Sequence, residues 1–354
     1  MMKRILLLFL LAPAGFADTV VGDFRLSVVT DEAPGARQMA ETESGLLLAG
    51  SLRQGNLYAV TTGADGMTEV VTFARRLELP SGLVLIGEDL YVGALDRVLR
   101  YRSIEKTFRD NPEPEIVTDI LPDERHHGWK YLSVGPDGFL YVPVGAPCNI
   151  CESEDPRFAS ILRMDPATGE ATVYAAGVRN SVGMDWHPDT GELWFSDNGR
   201  DWLGDDLPPE EINRVTEAGA HYGYPYVHGL DILDPEFGEG HDPADYVTPE
   251  IMIQAHSAAL GVAFYTGSQF PESYRHALFI AEHGSWNRSS KVGYRVSVVR
   301  FGESGAVYEP FLDLWLKGEK VSGRPNDVLV SGDGSLVISG DKAGAIYRVT
   351  YQGE

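Results

Sequence analysis

The sequence predicts an all-β protein, a six-bladed β-propeller, on three observations: short turn-plus-strand units recur along it, their spacing is nearly constant, and strand-like segments stand at both ends. The units are TESGLLLAG at 42, IGEDLYVG at 86, GPDGFLYV at 135, HPDTGELWFS at 187, RHALFIAE at 275 and SGDGSLVIS at 331. Most place Gly, Asp or Pro turn residues ahead of an alternating or continuous apolar run. A period of about fifty residues in an all-β chain is the pattern of propeller blades, and six can be counted. FRLSVVT, starting at residue 24, and AGAIYRVTY, ending at residue 351, would pair in one blade and close the ring, leaving no sheet edge open.

Taken in order, residues 1–17 run from a basic tip, Lys3 and Arg4, through the apolar stretch ILLLFLL to the small-residue site AGFA. That is the layout of a cleaved secretory leader. Pro13 and Gly15 interrupt the stretch well short of the ~20 apolar residues a membrane span needs. The expectation is a signal peptide at 1–17, a periplasmic or secreted mature chain from Asp18, and a single propeller domain over 18–354. The unit spacing breaks between 191 and 275, where an acidic, Pro- and Gly-rich region at about 199–250 reads as an insertion outside the blades. Long ordered loops in a compact domain are more often functional than idle.

Charge narrows the partners. The chain has 52 acidic and 29 basic side chains, a formal net charge of -23. Such a surface repels nucleic acid and anionic lipid and leaves small neutral molecules, cations and metal ions as ligands. The two cysteines, Cys148 and Cys151, share the loop GAPCNICE. Outside the cytoplasm the expected outcome is a local disulfide, with a metal or redox role as the alternative. Glu152 stands where a haem attachment site needs a histidine, so no covalent haem is expected.

Polar residues gather at comparable places in successive blades. His126 and His127 precede the third turn, Arg179 and Asn180 the fourth; His283, Trp286, Asn287 and Arg288 follow a fifth-blade strand; Arg324, Asn326 and Asp327 precede the last turn. In a propeller these connections converge on one end of the central channel. Taken singly, each reads as readily as a packing histidine or an interblade salt bridge. Trp129, Trp202 and Trp286 offer stacking faces for a pyranose ring, or core packing.

The motifs AGVRNSVGMDWHPDTGELWFSDNGRDWLGDDLPPEEIN, GAPCNICE, HSAALGVAFYTG, HGSWNRSS followed by GYRV, and GRPNDVLVSGDGSLVISGDKAGAIYRV resemble the glucose/sorbosone dehydrogenase family, in its sorbosone dehydrogenase-like branch. The resemblance implies a six-bladed propeller, the cofactor pyrroloquinoline quinone (PQQ), a calcium ion (Ca2+), a sugar substrate, and an external electron acceptor that is a quinone or a small redox protein. On it His127, eight residues ahead of Gly135, falls at the family's catalytic histidine. Removing a hydride from an aldose C1 needs a base for the C1 hydroxyl proton, and an imidazole suits that task. Arg179 falls at an arginine that polarises the quinone oxygen, Asn180 at a cofactor-contacting amide, and Arg324 at an arginine that meets the cofactor carboxylates. His283 and Arg288 complete the expected cofactor-binding set. For the metal, the resemblance points to the main-chain carbonyls of Gly199 and Arg200, with Asp206 and Glu211 downstream. Glu211 aligns with an acid that binds a structural calcium. Hard oxygen ligands suit Ca2+; a solvated acidic loop is the alternative.

The chain departs from the glucose-oxidising members in places. Ala146 stands for the aspartate that orients the catalytic histidine, Asn326 for a second cofactor arginine, and His283 for a cofactor lysine, while His126 aligns with a family acid. The group that orients His127 is left for the fold to supply. Two other classes share the architecture: a calcium-dependent, lactonase-like hydrolase, and a non-catalytic sugar-binding propeller. The basic pair Arg179 and Arg324 favours an anionic quinone over the hydrolase.

Overall fold

Six antiparallel sheets stand around a central channel in the computed structural model, which describes residues 19–302 and 305–353. The expected leader at 1–17 lies outside the described residues. The blades span 36–74, 82–118, 133–176, 184–253, 259–312 and 325–351. Each recurring unit supplies one blade's second strand: Leu47–Ser51, Asp89–Gly93, Leu140–Val144, Leu193–Asp197, Leu278–Glu282 and Leu336–Gly340. These strands are buried almost throughout. A second strand has a neighbouring blade against each face, which is why its sequence reads as an apolar run rather than an alternation. The turns ahead of them need special backbone: Gly138 adopts φ 78° and its N–H closes the Gly-Pro-Asp-Gly turn on the Gly135 carbonyl at 2.9 Å.

Closure follows the expectation. Phe24–Thr30 pairs antiparallel with Ala345–Tyr351, with Phe24 opposite Tyr351 and Leu26 opposite Val349. Thr19–Val21 adds a fifth strand outside it. The core is distributed between blades: Leu48, Leu57 and Ala59 of the first meet Leu83, Leu90 and Val92 of the second, and Phe279 and Val296 of the fifth meet Leu336 and Tyr347 of the sixth.

Inner strands of different blades are too splayed to share a ladder, and polar side chains in the channel bridge them instead. Gln38 accepts from the N–H groups of Leu83 and Leu132, Asp185 from Phe264, and Asp327 from Met39 at 2.8 Å. Asp327 is therefore a structural strut of the channel. The region 199–250 corrects one expectation. It is not wholly outside the blades, because Glu210–Val215 is the third strand of blade 4 and pairs with Leu193–Asp197. Its first two residues are acids that the fold buries, so a strand there looked like a solvated loop. Among the described residues no helix is long and apolar enough to cross a membrane.

Candidate active site

Each blade repeats the same path, so the connections into the inner strands and the loops between second and third strands open at one end of the channel. A cavity of about 200 Å3 forms there. Of the expected residues, His127, Arg179, Asn180, Gly199, His283, Trp129 and Trp286 wall it, joined by Arg37, Asn198, Glu210 and His256. A larger cleft of about 860 Å3 lies around Glu41, Thr42 and Arg348, but the buried bases and guanidinium groups converge on the smaller one.

His127 is held by main chain. Its φ is 51°, a left-handed conformation that costs a non-glycine residue on the order of 1–3 kcal/mol and persists only where the surroundings enforce it. The buried ring sets Nδ1 2.9 Å from the Ala146 carbonyl oxygen. A carbonyl can only accept, so Nδ1 carries the proton and Nε2 keeps its lone pair. Nε2 has no hydrogen-bond partner among the described residues. Burial, then the positive charge of Arg179, drives the His127 pKa well below the ordinary histidine value, so the ring is neutral at neutral pH. The orienting role that no side chain at 146 can fill falls to that residue's carbonyl. The Ala146 N–H in turn donates to the Arg179 carbonyl at 2.8 Å. Gly145 makes the approach possible, since a Cβ there would stand 2.5 Å from His127 Cβ. His126 is exposed, with its ring centroid 4.1 Å from that of His127.

Arg179 is buried, and three of its guanidinium donors are spent on protein. Nε and Nη2 donate to the main-chain oxygen and Oδ1 of Asn149, both at 2.8 Å, and Nη1 donates to the Asn198 carbonyl at 2.9 Å. Two of its five N–H bonds are left over. Beneath it, Asp197 accepts from the N–H groups of Arg179 and Asn180 at 2.8 and 2.6 Å.

Arg324 stands behind the cavity wall. Its guanidinium donates to the carbonyls of His283 and Gly284 and lies over the Tyr294 ring. Arg37 occupies the wall instead, with Nη2 2.7 Å from Asp341 and Nε buried without a partner. His283 Nε2 lies 3.0 Å from the same carboxylate. Burial raises the Asp341 pKa, but His283, Arg37 and Arg324 outweigh it and hold the carboxyl well below the usual range. Arg288 pins the loop of blade 4, reaching the Asp205 carbonyl and Asp206.

The expected metal residues separate. The main-chain oxygens of Gly199 and Arg200 accept no hydrogen bond from the described residues. The Arg200 side chain turns away to Asp234 at 2.6 Å and Glu236 at 3.0 Å. Asp206 is exposed on Arg288. Glu211 is buried in its strand, accepting from Gly229 N–H at 2.7 Å and Asn213 at 3.0 Å. No group of three or more His, Cys, Asp or Glu side chains among the described residues is arranged to hold a metal. Behind Gly199, burial pushes Asp197 up to about 6, Glu210 up to about 7 and Glu211 up to about 8.

Cys148 and Cys151 form a disulfide. Trp202 and Trp286 are 69% and 68% exposed at the mouth, ring centroids 6.3 Å apart. Trp129 packs edge-on at 5.8 Å from His127. Sequence reasoning missed Arg37, Asn149, Glu210, His256 and Asp341. For Arg37 a signal existed: it stands at the start of the first blade's inner strand, Ala36–Glu41, as Arg179 and Arg324 stand just ahead of theirs.

The family signature of Glucose / Sorbosone dehydrogenase matches residues 93–348, most of the chain. An uncharacterized protein of Borreliella burgdorferi is 36% identical over 299 residues, 80% of this chain and 79% of that one. A Trichoderma reesei enzyme of Carbohydrate-Active Enzymes Family AA12 superimposes with a TM-score of 0.80 at 20% identity, covering 96% of this chain and 99% of that one. The PQQ domain of a pyranose dehydrogenase from Coprinopsis cinerea, in its holo form, does so with a TM-score of 0.76 at 18% identity, covering 96% and 98%. The two structural likenesses show the shared propeller. The chain belongs to the glucose/sorbosone dehydrogenase family of oxidoreductases.

Proposed function

We propose that the protein is a PQQ- and calcium-dependent dehydrogenase that oxidises an aldose-type sugar at C1, giving a lactone or acid, with electrons passed to an external acceptor. The observation that carries this reading is His127, a buried neutral imidazole with Nδ1 committed to Ala146 and Nε2 open to a cavity flanked by Arg37 and Arg179. PQQ bound there would accept the hydride that leaves C1. His127 Nε2 takes the C1 hydroxyl proton, and its confinement sets the direction of that transfer. Arg37 and Arg179 set positive charge on the wall for an anionic ligand, Arg179 with two N–H bonds still uncommitted. Asn180 and His283 add polar groups to the wall, while Arg324 and Arg288 brace the loops behind it.

The free main-chain oxygens of Gly199 and Arg200 are hard donors suited to Ca2+, and the neighbouring buried carboxyls favour a cation. Asp206 and Glu211, tied to Arg288 and Gly229, support that loop. The leader read from residues 1–17 and the disulfide support a periplasmic or secreted location.

The test is to add PQQ and Ca2+ to purified apo-protein and follow reduction of a dye with a panel of aldoses. Uptake of PQQ and turnover that chelation abolishes are expected. Absence of PQQ uptake moves the reading to a non-catalytic sugar-binding propeller.

A further inference from the structure

We propose that Asn149 is a positioning residue for Arg179 and that the Cys148–Cys151 disulfide is the clamp that makes it one. The proposal rests on the reading of Arg179 as a cofactor-facing guanidinium. One residue grips two edges of the fork: the Asn149 main-chain oxygen accepts from Nε and its Oδ1 from Nη2, each at 2.8 Å. The same Oδ1 accepts from the Asp201 N–H at 2.8 Å, and Nδ2 donates to the Asp201 carbonyl at 3.3 Å. Asn149 therefore ties a loop of blade 3 both to Arg179 and to the loop of blade 4 that carries Gly199. The remaining anchors are fewer: Asn198 holds Nη1 at 2.9 Å, and the Asp201 carboxylate is 3.9 Å away, beyond hydrogen-bond range. An arginine side chain has a large rotamer entropy, so its free N–H bonds point one way only if such anchors are themselves rigid.

Asn149 has no helix or strand to make it rigid. It sits between the bridged cysteines. The bridge is docked in turn on one phenol: Cys151 N–H donates to the Tyr224 hydroxyl at 3.0 Å, and Cys148 Sγ lies 3.6 Å from it. The chain of support runs from Tyr224 through the disulfide and Asn149 to Arg179.

Two variants test it. Asn149→Ala removes the Oδ1 acceptor and keeps the main chain. The PQQ dissociation constant, read from tryptophan quenching as apo-protein is titrated, should rise roughly 10-fold, the value of one charge-assisted hydrogen bond. kcat should fall with it while the sugar KM holds, and Asn149→Asp, which keeps the acceptor, should recover most of the loss. Cys148→Ser with Cys151→Ser should lose a comparable factor, and adding Asn149→Ala to that background should cost less than it does alone, the mark of two groups acting through one contact. Wild-type PQQ affinity and kcat in Asn149→Ala, losses that add fully across the cycle, or no recovery in Asn149→Asp would each overturn the proposal alone. A wild-type chain that takes up no PQQ would overturn the underlying reading of the site as well.

Discussion

Replacing Gly145 with alanine loads the base directly. A Cβ at that position would lie 2.5 Å from His127 Cβ and 3.1 Å from its carbonyl oxygen, whereas two carbons at rest need ~3.5–4.0 Å. Gly145 does not use a positive φ, so the backbone accepts alanine and the effect is the clash itself. His127 must retreat by ~1 Å or more, which carries its 2.9 Å bond to Ala146 out of hydrogen-bond range. The tautomer is then no longer held and Nε2 leaves its line to the substrate. A misplacement of ~1 Å at a reacting group costs ~10²-fold, so kcat/KM should fall about that much. The overpacking itself should cost ~1–3 kcal/mol of stability. The assay is dye reduction by enzyme reconstituted with PQQ and Ca2+ on the best aldose, alongside cofactor absorbance and a thermal melt. Gly332→Ala, where the nearest atom to the new Cβ is 3.9 Å away, is the control and should change nothing. Wild-type kcat/KM in Gly145→Ala would refute the argument that main chain confines the base.

Three further outcomes are expected. His127→Gln should lower kcat and kcat/KM together by ~10²-fold or more with PQQ still bound, and His126→Gln should do much less; steady-state kinetics on both decide which imidazole is the base. The acid limb of kcat/KM should lie well below pH 6.5, because burial and then Arg179 depress the His127 pKa and the ring stays neutral until that lower value is reached; Arg179→Gln should move the limb upward. The linked stability runs in the same direction: above ~6.5 neither state binds the proton, while below it the unfolded chain does and the folded one does not, so stability falls as pH drops toward the folded pKa. Asp327→Ala should cost ~1–3 kcal/mol, because it leaves the buried Met39 N–H without its acceptor; Asp327→Asn, which keeps an oxygen there, should cost less, and a thermal melt separates the two.

The sequence by itself determined the blades, their number and the pairing of the two end strands. These follow from local chemistry: a Gly or Asp turn and the apolar run after it sit within about ten residues of each other. The strand Glu210–Val215 escaped that reading because its two leading acids are satisfied by N–H groups far along the chain, Gly199 and Ala258 for Glu210 and Gly229 for Glu211. A buried carboxyl and a solvated one are the same letter. The cysteine pair was legible for the opposite reason, since its two halves lie three residues apart. What only the tertiary structure decided is how the site is held. The carbonyl of Ala146 orients His127, a role that no residue type can announce because every residue has a carbonyl. Arg37 stands on the cavity wall where Arg324 was expected, and it shares Asp341 with His283 across blades 1, 5 and 6. That geometry comes from ring closure, which brings residue 37 and residue 341 together from opposite ends of the chain and leaves no trace in the order of the residues between them.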